Sequence, residues 1–323
     1  MVEQILPGMY RMEIPLPRSP LKAINSYLIK GQKRCLVIDT GMNREECRHE
    51  MRSCLGMLNV DLKKTDFFIT HLHADHLGLV GDLATDTSKV YFNEKEVSLA
   101  DPGEEYWRQL GEVFKSHGFP EDELERAMKR HPGRIYGLKR HVDFCLLKEG
   151  DAIDVGDYSF RCIETPGHTP GHMCLYEGEK KVLACGDHIL FDITPNITTW
   201  RGMRNPLGQY LTSLDKIYGL DVEVVLPGHR RIWNNHRRRI AELKEHHQTR
   251  LAEVLRALKD GEKAAFQIAP WVTWDIKCSS WESFPPTQKI FAVGETLAHL
   301  EYLEEQGTVR RRAKEDKILF SLS

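Results

Sequence analysis

Between residue 21 and about residue 230, short apolar runs alternate with segments whose apolar positions recur every three or four residues. The runs INSYLI, CLVIDT, DFFIT, KVYFN, YSFRCIET, HMCLYE, KVLACGD and VEVVLPG are rich in β-branched and aromatic residues. Many break off at Gly, Thr, Asp or His, which predicts strands that end in loops. Segments 44–58, 75–84 and 206–219 carry the helical period. From about 94 to 141 the strand signal lapses, and EEYWRQLGEVFKSHGF with EDELERAMKRH predicts a helical insertion. Residues 233–260 predict one long, charged, amphipathic helix that stops at Gly261. Beyond it come a short helix at EKAAFQIA, a helix across 286–305, and two strands around a charged turn. The pattern predicts a layered α/β domain over 1–232, a connecting helix over 233–261 and a small C-terminal domain over 262–323.

Composition narrows the class. A chain of 323 residues is long enough for one large domain plus a small one, or for two of middling size, and 41% hydrophobic with 28% charged residues describes a soluble globular protein. The formal net charge of -2 removes any global basic field for nucleic acid but leaves room for a local patch. No stretch approaches the ~18 uninterrupted apolar residues of a membrane span. The N-terminus MVEQILPGMYRMEIPLP lacks the basic-then-apolar layout of a signal peptide, so a cytoplasmic location is expected. The eight cysteines include no CxxC pair, and several sit in apolar strands, the usage of buried reduced thiols.

The chemistry concentrates in THLHADHLG, residues 70–78. His71 and His73, two apart after a strand, can face one metal ion while the chain is still extended. Asp75 and His76 follow at the turn into a helix and can address a second ion. Further donors stand at the ends of distant strands: His168 in ETPGHTPGH (preferred to His172), Asp187 in LACGDH and His229 in VVLPGH. Each of them alone is more often a turn or core residue. Joint recurrence of apolar strand, Gly, then His or Asp is what selects them, because strand ends converging on one sheet edge are where α/β proteins build sites. Imidazoles with carboxylates suit zinc, iron or manganese. His172 and His188 lie close enough to the proposed ligands to be supporting groups.

The ordered set His71-x-His73-x-Asp75-His76, His168, Asp187 and His229, with Asp39 in LVIDTG upstream, resembles the five motifs of the metallo-β-lactamase superfamily over residues 20–230. The resemblance implies an αββα sandwich with a two-metal site at one edge. It implies one metal on His71, His73 and His168, a second on Asp75, His76 and His229, and Asp187 bridging. Asp39 would hold the ligand loop by hydrogen bonds. An aspartate at 187 resembles the glyoxalase II-like hydrolases, lactonases and nucleases, and His73 stands where the diiron oxygen reductases of this fold carry Glu. The tail VGETLAHLEYLEEQGTVRRRAKEDKILFSL resembles the last helix and wing of a winged-helix domain, with Leu297, Leu300 and Leu303 as an apolar face and Gly307 as the stop. Such a tail follows the hydrolase domain in a group that includes endoribonucleases. Here Glu301, Glu304, Glu305, Glu315 and Asp316 surround Arg310, Arg311 and Arg312, so a packing or dimer-forming role is favoured over nucleic-acid binding.

The implied cofactors are two divalent transition-metal ions, zinc first, then iron or manganese. Two cations ~3.5–4 Å apart can hold a hydroxide and polarise the oxygen of the group it attacks. Asp187 would fix their spacing, and Asp75 would orient the hydroxide. The expected activity is hydrolysis of a small thioester, ester or lactone; a thiolate leaves more readily than an alkoxide, which favours thioesters. The alternatives are an endoribonuclease with a winged-helix substrate arm, an iron-dependent sulfur dioxygenase and a non-catalytic binding protein. Tyr106, Trp107, Phe114 and Phe119 of the insertion either roof the site or pack onto the sandwich. All seven ligands precede residue 230, so removal of 262–323 is expected to leave hydrolysis measurable if the remainder stays folded.

Overall fold

A computed structural model describes residues 1–323. Seven strands, β1 (Val2–Leu6), β2 (Met9–Pro15), β3 (Ala23–Lys30), β4 (Cys35–Ile38), β5 (Thr65–Phe68), β6 (Val90–Asn93) and β7 (Phe144–Leu147), lie side by side in chain order. The first four are antiparallel, and β4 to β7 run parallel. Strands β8 (Ala152–Val155), β9 (Tyr158–Glu164), β10 (Met173–Glu177), β11 (Val182–Gly186) and β12 (Val224–Pro227) form a second sheet in the order β12-β11-β10-β9-β8. Its β11–β12 pair is parallel. The tail ends in an antiparallel hairpin, β13 (Val309–Lys314) and β14 (Lys317–Leu322).

The helices are α1 (Glu45–Met57), α2 (Ala74–Leu77), α3 (Val80–Leu83), α4 (Val97–Ala100), α5 (Gly103–Ser116), α6 (Glu121–Lys129), α7 (Pro132–Tyr136), α8 (Pro206–Tyr218), α9 (His236–Ala257), α10 (Ala265–Ile268) and α11 (Pro286–Glu305). Alternation of side chains along each strand sorts the core into layers. Leu36, Ile38 and Phe68 of the first sheet meet Phe160, Leu175 and Ala184 of the second. Their neighbours Val37 and Phe67 face the other way, onto Cys47, Met51 and Leu55 of α1. Ile163, Cys174, Leu183 and Val225 on the outer face of the second sheet are covered by Leu214 of α8 and Leu243 of α9. This is the αββα sandwich.

The third layer does not end with the sandwich. Phe114, Phe119 and Leu124 of the insertion, Ile290, Val293, Leu297 and Leu300 of α11, and Phe320 of β14 belong to the same continuous apolar cluster as the outer face of the second sheet. Helix α11 is buried at 12 of its 20 positions, far beyond the one face of Leu297, Leu300 and Leu303. Residues 262–323 thus share one apolar core with the outer face of the second sheet.

Smaller departures have local causes. The segment 75–84 is two short helices that meet at Gly78 and Leu79, and the carbonyls of Ala74 and Tyr136 leave no room for a Cβ at Gly78. The long helix starts at His236, since Trp233 is still paired with Val225 as a β-bridge. No helix is long and apolar enough to cross a membrane.

Candidate metal centre

Each proposed donor sits where a strand gives way to a loop. At the end of β4, Asp39 adopts φ +57 and turns its carboxylate toward the loop after β5. There it accepts from the Thr70 amide at 2.8 Å and from the Thr70 hydroxyl at 2.8 Å, and Nδ1–H of His76 donates to it at 2.8 Å. The Thr70 oxygen in turn accepts from Nδ1–H of His71 at 2.9 Å. Nδ1–H of His168 donates to the Asn196 carbonyl at 2.7 Å, and Nδ1–H of His229 to the Ala23 carbonyl at 2.7 Å. One nitrogen of each of these rings is thus anchored, which fixes the tautomer and turns the Nε2 lone pair inward.

The inward atoms converge. His71, His73 and His168 form one donor group, His71, His76 and Asp187 a second, and Asp75, His76 and His229 a third, each with its atoms within 4.8 Å of one another. His73 Nδ1 lies 3.0 Å from Nε2 of both His71 and His168. The Asp187 carboxylate lies between the groups, 3.5 Å from His76 Nε2, 3.5 Å from His229 Nε2 and 3.8 Å from His168 Nε2. Asp75 approaches His229 Nε2 at 3.4 Å. A side chain at Gly228 would run into Asp187 and His76, so only glycine keeps this cradle open.

Electrostatics and unmet valence both describe a cation site. Burial and neighbouring imidazoles push His71 well down, and burial with His168 takes His73 to about 3, so both rings are neutral donors. Burial works against ionisation of Asp75, yet His229 and His76 hold it at about 2, and Asp187 is likewise held well below the carboxylate range. Burial would lower His229, but Asp187 and Asp75 raise it to about 10. Two buried carboxylates demand positive charge, and protons on His76 and His229 are its substitute. His76 Nε2, His229 Nε2 and Asp187 Oδ1 have no hydrogen-bond partner despite full burial. Five imidazoles and two carboxylates, with four of the rings anchored from behind and three inward atoms unsatisfied, fit divalent transition metals.

His172 stands apart from these groups. Its Nδ1 meets the Thr165 hydroxyl at 2.8 Å, and its Nε2 accepts from the Asp187 amide at 3.2 Å. His172→Ala is expected to leave both metals bound, as elemental analysis would record, while denaturation detects a loss of about 1–2 kcal/mol from the freed Asp187 amide. His188 is buried with neither ring nitrogen partnered; its amide donates to the Cys185 carbonyl and its carbonyl accepts from the Tyr210 hydroxyl.

Three groups that hold the site carry no signal in the sequence. Glu96 is fully buried and accepts from the Leu72 amide at 2.5 Å and the Gly171 amide at 2.7 Å, tying the His71–His73 loop to the His168 loop. Burial raises its carboxyl from the ordinary 4.5 to about 7. The folded state therefore favours the protonated acid: the stability it contributes is present below pH 4.5 and is lost as pH rises to 7. Stability is expected to fall by about 3 kcal/mol over that window relative to a Glu96→Gln chain, measured by denaturant titration at each pH. Trp200 donates to the His168 carbonyl at 2.9 Å and lays its ring 5.7 Å from that of His73. Asn196, whose carbonyl orients His168, donates its amide to Glu295 of α11 at 2.6 Å, and Glu295 pairs with buried Arg250. In a fourth donor group Glu295 is engaged by Asn196 and Arg250, Nδ1–H of His299 donates to the Glu295 carbonyl at 2.7 Å, and His247 Nδ1 meets His299 Nε2 at 3.2 Å while its Nε2 has no partner.

The insertion divides its aromatics. Phe114 and Phe119 are buried in the shared core, whereas Tyr106 lines a cleft together with Pro166 and Pro170, which flank His168. In the tail, Arg311 pairs with Glu304, and Arg312 reaches Glu262 at 3.8 Å.

Comparison with known proteins gives the same class. Residues 20–229 match the Metallo-beta-lactamase superfamily, and residues 282–320 match the Metallo-beta-lactamase-like, C-terminal domain. The chain belongs to the metallo-beta-lactamase superfamily. A metallo-beta-lactamase family protein from Thermus thermophilus superposes with a TM-score of 0.84 at 31% identity, covering 99% of this chain and 100% of that one. The probable metallo-hydrolase YqjP of Bacillus subtilis (strain 168) is 26% identical over 296 residues, 88% of each chain. The acyl-coenzyme A thioesterase MBLAC2 of Gallus gallus is 29% identical over 221 residues, 64% of this chain and 72% of that protein.

Proposed function

We propose that this chain is a hydrolase carrying two divalent metal ions, zinc in the first instance, and that its substrates are small-molecule thioesters. The observation that carries the reading is the convergence of seven donors, six of them buried, at the sheet edge, with His76 Nε2, His229 Nε2 and Asp187 Oδ1 left without partners. In this reading His71, His73 and His168 hold one ion, Asp75, His76 and His229 the other, and Asp187 joins them. Residues 1–232 form the catalytic unit, 233–261 the connecting helix, and 262–323 a C-terminal unit that completes its core.

When bound, such ions supply Lewis acidity toward the carbonyl oxygen and lower the pKa of water to near neutrality. The chain's own groups do the rest. Asp187, flanked by His76, His168 and His229, sets the separation of the two donor sets. Asp75, ionised across the neutral range, keeps an acceptor for a proton of the attacking water. Asp39, Thr70, Asn196 and Ala23 stop the imidazoles from rotating. A thiolate, with a parent pKa of about 8.5, departs without protonation, so a centre of imidazoles and ionised carboxylates suits a thioester better than an alkyl ester. The acyl-coenzyme A thioesterases among the relatives point the same way.

The test is elemental analysis of the purified chain followed by turnover on acyl-thioesters, lactones and single-stranded RNA. About two metal ions per chain and preferential thioester cleavage are expected. One ion or none after reconstitution would overturn the binuclear reading, and cleavage of RNA alone would overturn the thioesterase reading.

A further inference from the structure

Resting on that hydrolase reading, the cleft beside the metal centre says which thiol is released. Its volume is about 720 Å³, within the range of small-molecule sites. Three cations, Lys95, Arg201 and Arg204, line it against a single acid, Glu105, in a chain whose formal net charge is -2. Glu105 is engaged by Arg108 through two hydrogen bonds. Arg201 donates to Gln109, a neutral partner, and Lys95 reaches Glu164 at 2.6 Å. All three are exposed; Arg201 and Arg204 form no ion pair, while Lys95 shares its charge with Glu164.

Both walls are tied to ligand loops. Lys95 precedes Glu96, which holds the Leu72 and Gly171 amides. Arg201 follows Trp200, which holds the His168 carbonyl and lies beside His73. Pro166 and Pro170 of the His168 loop form part of the lining itself. An anion seated among the three cations is therefore held by segments that also carry or anchor the donor loops.

An acyl chain would gain nothing from three cations, and a lactone or simple ester carries no anion to meet them. A thiol bearing phosphates matches both the charge and the volume. We propose that the cleft binds the phosphate-bearing half of the substrate. The enzyme then selects thioesters of a phosphorylated, nucleotide-type thiol such as coenzyme A, with Arg201, Arg204 and Lys95 setting that specificity.

The full-length, metal-loaded enzyme is assayed on butyryl-coenzyme A and on the butyryl thioester of N-acetylcysteamine, which has no phosphate. The ratio of kcat/KM between the two is expected to fall about tenfold or more in the R201E/R204E double variant, chiefly through KM, and to be kept by R201K/R204K. Calorimetry with adenosine 3′,5′-bisphosphate, a probe without a thiol to reach the metals, reads binding directly. It should show an interaction that weakens with salt and is lost in the charge-reversed protein. An unchanged ratio, or bisphosphate binding indifferent to the two arginines, would overturn the proposal. So would tighter binding of a 5′-phosphorylated oligoribonucleotide through the same arginines. Failure to turn over either thioester would instead sink the hydrolase reading, with the bisphosphate titration still deciding what the cleft binds.

Discussion

Asp187→Ala is expected to lower hydrolysis by about three orders of magnitude or more and to deplete both metals, not one. The reason is position. The carboxylate lies within 3.8 Å of Nε2 of His76, His168 and His229, which belong to both donor sets, and its Oδ1 has no other partner. Asp75, 3.4 Å from His229 Nε2, belongs to one donor group only and does not span both. Removing Asp187 takes from His229 the main charge that raises it, and from His76 the second of two, after Asp39. Asp187→Asn separates charge from shape: it keeps an oxygen donor but removes one negative charge, so it should retain metal better than alanine while still losing turnover. Inductively coupled plasma analysis alongside initial rates reads both quantities. An alanine variant that holds two metals and merely raises KM would refute the joining role assigned to Asp187.

The donors were legible in the sequence because their setting is local. An apolar run, a glycine and then His or Asp says that a strand ends and a polar side chain begins, as at Gly186-Asp187 and Gly228-His229. The supports were illegible because their setting is tertiary. Glu96, in NEKEVS, looks like any solvated helix charge, yet a loop from the second sheet closes over it. Glu295 and Lys289 read as the polar side of an amphipathic helix, but α11 is enclosed on nearly all sides and each charge has a buried or half-buried partner. Strand β1 escaped because an irregularity between Gln4 and Leu6 interrupts its alternation, leaving Pro7-Gly8, with Gly8 at φ +73, as the sole hairpin signal between it and β2. Strand β7 is four residues long at a sheet edge and mostly only half buried, too short for period-two reasoning.

A chain ending at Gly261 is expected not to fold. Helix α11 contributes Ile290, Val293, Leu297, Leu300 and Leu303 to the same apolar cluster as the outer face of the second sheet. At about 2 kcal/mol for each buried side chain, their loss is on the order of 10 kcal/mol, comparable to the entire stability of a domain. The truncation also strips Arg250, which is 7% exposed, of Glu295, and leaves the Asn196 amide without its acceptors Glu295 and the Phe291 carbonyl. Unpairing a buried charge costs about 3–5 kcal/mol more. Because the Asn196 carbonyl orients His168, the damage reaches the metal centre even in a fraction that stays compact. Circular dichroism, thermal melting and metal content of the 1–261 chain should therefore show no cooperative transition and little bound metal. In the full-length protein, replacing Arg310, Arg311 and Arg312 together by alanine should change stability by less than about 1 kcal/mol, since these are exposed side chains and the pairs with Glu304 and Glu262 lie at the surface. A soluble 1–261 chain that melts cooperatively and retains two metals would show that the tail covers the core without being needed to build it.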